Sequence, residues 1–190
     1  MPPLSMKARP TDLYTRNKKA PLTVYEMTVF AMLGSMMFAS KLLTEALPNI
    51  HLLGMFTILF TVVFRQKALI PIYVFILLTG VYAGFSAWWI PYLYLWTVLW
   101  GITMLIPRNL PQKWGYIVYP ILCGLHGFAY GALYAPAQAL LFGLDFKQTL
   151  AWIVAGLPWD IVHGISNIAT GLLVVPLAAL IRKLLKRVPT

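Results

Sequence analysis

Apolar runs long enough to cross a lipid bilayer recur along the chain, separated by short clusters of Lys and Arg, and this alternation limits the fold more than any motif does. The hydrocarbon core of a bilayer is about 30 Å thick and is crossed by roughly 20 apolar residues in a helix. A chain of 190 residues has room for six such spans with short loops, and none for a separate soluble domain. Composition agrees: 60% of the residues are hydrophobic, 11% are charged and the mean hydropathy is +0.76, outside the range of soluble domains. The 14 prolines and 13 glycines fit the same picture, because membrane helices tolerate both where neighbouring helices re-satisfy the freed backbone groups. The expected fold is an all-α integral membrane protein of six transmembrane helices, one domain over 23–187 behind a cytoplasmic segment at 1–22.

The runs predict helix 1 near 23–46, helix 2 near 50–64, helix 3 near 68–86, helix 4 near 88–106 and helix 5 near 115–142. The last apolar stretch, 149–185, is too long for one simple span, and Gly156-Leu157-Pro158 divides it. Residues 149–156 then read as a short outer or re-entrant segment and Pro158 as the opening of helix 6, with five or seven spans as alternatives. Lys and Arg collect on the cytoplasmic side of short loops. In this layout Lys7, Arg9, Arg16, Lys18 and Lys19, then Arg65 and Lys67, then Arg108 and Lys113, and finally Arg182, Lys183, Lys186 and Arg187 fall on one side, leaving only Lys41 and Lys147 elsewhere. Both termini are therefore expected in the cytoplasm of a multi-pass cell-membrane protein. The first 22 residues have no apolar core of their own, so helix 1 and not a cleaved signal peptide is expected to direct insertion. The formal charge of +10 sits in loop clusters and on no single soluble face, which reads as topology and not as nucleic-acid binding.

Polar groups inside spans are expensive, so each is a functional hypothesis. Lys41 and Glu45, four apart near the outer end of helix 1, share a face and can pair. Asp160, His163 and Asn167 form one stripe in the outer half of helix 6, and His126, Tyr130 and Tyr134 form another on helix 5, with Gln138 a turn further out. Asn49, His51, Trp88, Trp89, Tyr92, Trp152 and Trp159 lie at the same outer level. Part of this is the aromatic belt of any membrane protein, and helix–helix contacts explain the stripes as well as a ligand does. An outward-opening pocket with aromatic walls and a few polar anchors suits a small, partly planar, polar solute. A metal held by His126, His163 and Asp160 lacks any close ligand spacing in its support, and the lone Cys123 reads as a buried small side chain. No Ser or Cys stands in a nucleophile motif and no glycine-rich phosphate loop is present, so energy for active transport has to come from an ion gradient or another subunit. Small residues form two strips, Ala31, Ser35 and Ala39 in helix 1 and Gly127, Gly131 and Ala135 in helix 5; either can pack within the chain or against another protein.

The six-helix layout, the basic start, and Ala31-x-x-x-Ser35-x-x-x-Ala39 followed by Glu45-Ala46-Leu47-Pro48-Asn49 resemble the S components, the substrate-binding membrane subunits of energy-coupling factor (ECF) vitamin transporters. The likeness covers nearly the whole chain, with Ser35 replacing one small residue of the family's alanine-x-x-x-alanine docking motif. It implies a bacterial vitamin-binding subunit, not itself an enzyme, that docks by Ala31, Ser35 and Ala39 onto a transmembrane coupling subunit of EcfT type. Two ATPase subunits of EcfA type would supply ATP and Mg chemistry, with no cofactor in this chain. It also implies that the pocket opens outward, is closed by the loops between helices 1 and 2 and helices 5 and 6, and is carried inward by toppling of the docked subunit. Candidate binding residues are Lys41, Glu45, Asn49, His51, Trp89, Tyr92, His126, Tyr130, Tyr134, Trp159, Asp160, His163 and Asn167. Folate-like, pyridine, pyrimidine, pantothenate and corrinoid compounds all stay open as substrates. A solitary secondary transporter, for which an internal repeat is expected but not found, and a membrane enzyme using Asp160 and His163 are the alternative readings.

Overall fold

The computed structural model describes residues 22–47 and 50–187, so the basic residues at 7–19 and Asn49 lie outside the described residues. It contains α1 (Val24–Leu43), α2 (Leu53–Phe64), a 3-10 turn (Arg65–Ala68), α3 (Leu69–Ala83), α4 (Tyr92–Leu105), α5 (Gln112–Phe128), α6 (Tyr130–Phe142), α7 (Phe146–Gly171) and α8 (Val174–Arg187), with no strand among the described residues. By length and composition alone, three helical stretches, Val24–Leu43, Leu53–Ala83 and Gln112–Phe142, qualify as membrane spans; α7 and α8, bent by 44° at their junction, make a fourth as a pair, and α4 is apolar but shorter. The chain is thus all-helical with several helices able to span a bilayer.

The stretch Leu53–Ala83 reverses direction at Arg65, the one non-glycine residue with positive φ (56°) among those described. Such a backbone is strained and persists where surroundings hold it. Here the Trp100 indole donates to the Arg65 carbonyl at 3.0 Å, while the Arg65 guanidinium donates to the carbonyls of Met104 at 2.6 Å and Ile106 at 3.3 Å, unpaired at the end of α4. His51 before α2 and Phe75 on α3 meet Trp96 of α4 at ring separations of 6.2 and 6.1 Å, so the two limbs run in opposite senses along α4. Eleven of the twelve residues of α2 are buried, which makes it the central helix, apolar on every face and wrapped by the others. Its Thr57 and Thr61 hydroxyls donate back to the carbonyls of Leu53 and Thr57, so they cost nothing unpaired inside the core.

Helix α1 opens on a capping box: the Glu26 amide donates to the Thr23 hydroxyl and the Thr23 amide to the Glu26 carboxylate. Glu26, buried, also pairs with Lys67 across the helix ends. Phe30 then meets Phe64 edge-on and Phe38 meets Tyr82, so α1 lies along α3. Arg182 of α8 donates to the Val62 carbonyl at 3.2 Å, which brings the chain's last helix to the same end as Arg65, Lys67 and Glu26. We call this the basic end and the opposite one the aromatic end.

α5 and α6 run antiparallel to α7, and the register is set by glycine. A Cβ on Gly127 would lie 2.8 Å from Gly164 Cα, and one on Gly171 would lie 2.7 Å from Pro120 Cα. Gly131 meets the Asp160 carboxylate, and Tyr134 stacks on Trp152 at 5.9 Å. With no side chains between them the backbones approach closely, as membrane helices do in the absence of a hydrophobic drive.

The expected division at Gly156–Pro158 is not observed. Asp145 and Gln148 form a capping box that starts α7 at Phe146, and the helix runs through Pro158 to Gly171. Pro158 is exposed on the surface of the bundle, where its missing N–H leaves no donor to satisfy. The break comes instead at Gly171–Val174, where α7 gives way to α8. The first and fourth predicted helices are also shorter than expected: α1 stops at Leu43, and 84–91 form turns before α4.

Candidate functional site

A cavity of about 630 Å³ opens at the aromatic end between the turn before α4, α6 and α7. Ser86, Ala87 and Trp88 form one side, and Tyr130, Gly131, Tyr134, Gln138 and Phe142 follow the inner face of α6. Trp152, Gly156, Trp159 and Asp160 of α7 close the third side. The spacing is a direct result of helical period, since 130, 134 and 138 on one helix and 152, 156 and 159 or 160 on the other each share a face.

Two hydrogen bonds fix the frame. The Tyr134 hydroxyl donates to the Trp88 carbonyl at 2.8 Å, tying the turn to α6, and the Tyr94 hydroxyl donates to the Leu133 carbonyl at 2.7 Å. Asp160 is the only charged group in the lining among the described residues, and it is 6% exposed. Both its oxygens accept from the Gly131 amide at 3.1 Å. Helical continuity breaks at Ala129, so Gly131 is the second residue of a new helix and its N–H is free to serve a side chain. The carboxylate thereby sits at the positive end of α6, the favourable place for a negative charge.

One layer below lies a ring cluster. The His163 ring is 4.7 Å from Tyr130 and 4.4 Å from His51 between centroids, and Trp96 lies within 6.2 Å of His51 and 5.7 Å of His126. The His126 Nε2–H donates to the Leu95 carbonyl at 3.2 Å, and Asn167 Nδ2 donates to the Cys123 carbonyl at 3.2 Å. Nδ1 of His51 and of His126, both nitrogens of His163, Trp96 Nε1 and Asn167 Oδ1 are buried without a hydrogen-bond partner. Unpaired polar atoms in such surroundings are costly, and this layer holds nearly all of those among the described residues. Three or more His, Cys, Asp or Glu side chains arranged to hold a metal do not occur among the described residues.

Of the residues singled out in the sequence, Tyr130, Tyr134, Trp159 and Asp160 line the cavity. His51, His126, His163 and Asn167 lie in or beside the layer beneath. Trp89 and Tyr92 do not line it. The Trp89 indole donates to the Ile76 carbonyl at 2.8 Å, and Tyr92 packs on Phe75 and Trp96, so both brace the wall from behind. Lys41 and Glu45 lie outside the cavity. No ion pair joins them among the described residues, because α1 ends at Leu43 and Glu45 stands exposed in the following turn, out of helical register with Lys41.

Ser86, Ala87, Phe142 and Gly156 line the cavity without having been singled out, and Trp96 joins the ring cluster in the same way. A small pair directly before Trp88-Trp89 is the available signal for the first two, and Gly156 is expected as a break. Of the two small-residue strips, Gly127, Gly131 and Ala135 are buried against α7 and its neighbours, whereas Ala31, Ser35 and Ala39 are exposed on α1.

No protein-family model matches the chain, and no curated protein or solved structure is detectably similar to it. The class defined by the fold and the site is an all-helical protein with several helices long and apolar enough to span a membrane and an aromatic cavity at one end.

Proposed function

We propose that the chain is the substrate-binding subunit of an ECF-type importer, crossing the membrane six times with both termini in the cytoplasm. The crossings are α1, α2, α3, α4, the pair α5–α6 and the pair α7–α8. The gathering of Arg65, Lys67, Arg108 and Arg182 near one end, opposite the cavity, supports that orientation, since basic loops stay in the cytoplasm. The cavity then faces arriving solute.

The observation that carries the proposal is the cavity itself: about 630 Å³, walled by aromatic rings and anchored by one buried carboxylate. Its size falls in the range of small-molecule sites, which are largely apolar with a few placed polar groups. The exposed strip of Ala31, Ser35 and Ala39 supports a docking surface for the coupling subunit, because packing within the chain leaves it unused. ATP hydrolysis belongs to partner subunits in this reading, and the ligand is a water-soluble vitamin or vitamin precursor.

Purified protein titrated with the water-soluble vitamins by calorimetry, with thermal shift as a second readout, tests the reading. Saturable binding of one of them at micromolar concentration or below is expected. If none binds, the reading is abandoned.

A further inference from the structure

Resting on the receptor reading above, we propose that the cavity selects a planar nitrogen heterocycle that carries positive charge, and disfavours anionic ring compounds. The rings of Trp88, Tyr134, Trp152 and Trp159 supply the walls, and Tyr134 and Trp152 already stand nearly parallel, 21° apart in plane. Flat aromatic walls favour a flat guest, and the faces of Trp and Tyr attract cations. No Lys or Arg is among the described lining residues, so no cation there forms an ion pair with a carboxylate or phosphate on the ligand.

The helix N-terminus in the wall is not an anion site either. The Gly131 N–H, which would otherwise receive an anion, is already taken by both oxygens of Asp160. An anionic guest would therefore meet a buried carboxylate and the negative faces of several rings, with neutral donors such as the Gln138 amide but no compensating cation among the described lining residues. A cationic guest meets those groups as partners and gives Asp160 a counter-charge away from water. The substrate class is thus narrowed from any small vitamin to ring cations and ring compounds protonated at neutral pH.

The test uses matched ligands on one ring: pyridine-3-carboxamide, its N-methylpyridinium form and pyridine-3-carboxylate, with a thiazole and its N-alkylthiazolium as a second pair. Quenching of tryptophan fluorescence in the purified full-length chain reads the affinity. The cationic member of each set is expected to bind at least about tenfold more tightly than the neutral one, and the anion most weakly. In Asp160→Asn the preference should fall to within about threefold, while Trp152→Leu should weaken every member of the set. The ranking on the unaltered chain decides the matter even if a variant fails to fold. A neutral or anionic compound binding as tightly as its cationic counterpart overturns the charge selection and leaves the receptor reading standing. Binding by no member of these sets and by no water-soluble vitamin overturns both.

Discussion

Two strips of small residues with the same four-residue spacing meet opposite fates. On α5 and α6, Gly127, Gly131 and Ala135 are sealed against α7, with the Gly127 backbone near Gly164 and the Gly131 amide bonded to Asp160. On α1, Ala31, Ser35 and Ala39 look away from the bundle, and α1 uses its other face, Phe30, Gly34 and Met37, to pack on the core. Spacing is identical, so spacing does not decide which strip is sealed. The glycines do: without Cβ atoms two backbones meet, whereas alanine and serine leave a smooth but thicker surface. The sealed strip also builds the site, since it delivers the Gly131 amide to Asp160.

The sharpest way to break this contrast is Gly127→Leu. Its Cβ would lie 2.8 Å from Gly164 Cα, a backbone atom that cannot rotate away. We expect a loss of about 3 kcal/mol or more, seen as early thermal unfolding in detergent and a broadened elution profile. Unfolding at the wild-type temperature would mean that the two helices are not in contact there.

A smaller loss is expected where α1 is fastened. Since its small strip takes no part in packing, the attachment rests on its apolar face and on the Glu26–Lys67 pair at the basic end. Lys67→Met removes one charged partner from a buried carboxylate that also accepts the capping-box hydrogen bond. We expect a cost of about 2 kcal/mol, below that of a fully buried pair because Lys67 is partly exposed. Denaturant unfolding of the variant checks it, and an unchanged midpoint would shift the whole attachment onto Phe30, Gly34 and Met37.

A glycine on neither strip shows that the residue type alone is not the cause. Gly101 in α4 has no atom within 4 Å of a Cβ built on it and no positive φ. Gly101→Ala should leave the fold unchanged and add about 0.5–1 kcal/mol, because the unfolded chain then loses less freedom on folding. A destabilised variant would show that α4 is packed more tightly there than its neighbours allow.

How much of this was legible in the sequence depends on what each residue reports. Apolar runs and basic clusters are local, and they located the helices and the turn at Arg65. Gly156 and Pro158, which break helices in water, predict an end that α7 does not have, whereas Asp145-x-x-Gln148, eleven residues before Gly156, is the signal at which it starts. Tyr130 and Tyr134 were legible as neighbours because helical period puts them on one face, and with Trp159 and Asp160 they line the cavity. Trp89 and Tyr92 were not separable from them, since whether a ring faces a cavity or braces its wall depends on the turn at 84–91, which periodicity does not describe. Lys41 and Glu45 failed as a pair because the register held only if the helix continued past Leu43.

The smallest change in stability is expected from the exposed strip, and it is the most informative about function. Ser35→Leu combined with Ala39→Leu adds bulk where α1 faces lipid or detergent, and leucine is at home in either. Stability should stay within about 0.5 kcal/mol of wild type, and the vitamin titration should be unchanged because the strip lies on a helix that contributes nothing to the cavity lining. What should be lost is association: co-expressed with coupling and ATPase subunits, the variant is expected to leave the complex while Gly101→Ala remains in it. Retention of the double variant in the complex would assign docking to another face and leave the strip as lipid-facing surface. Loss of stability on the scale of Gly127→Leu would mean instead that α1 buries both faces within the chain, and the contrast between the strips would disappear.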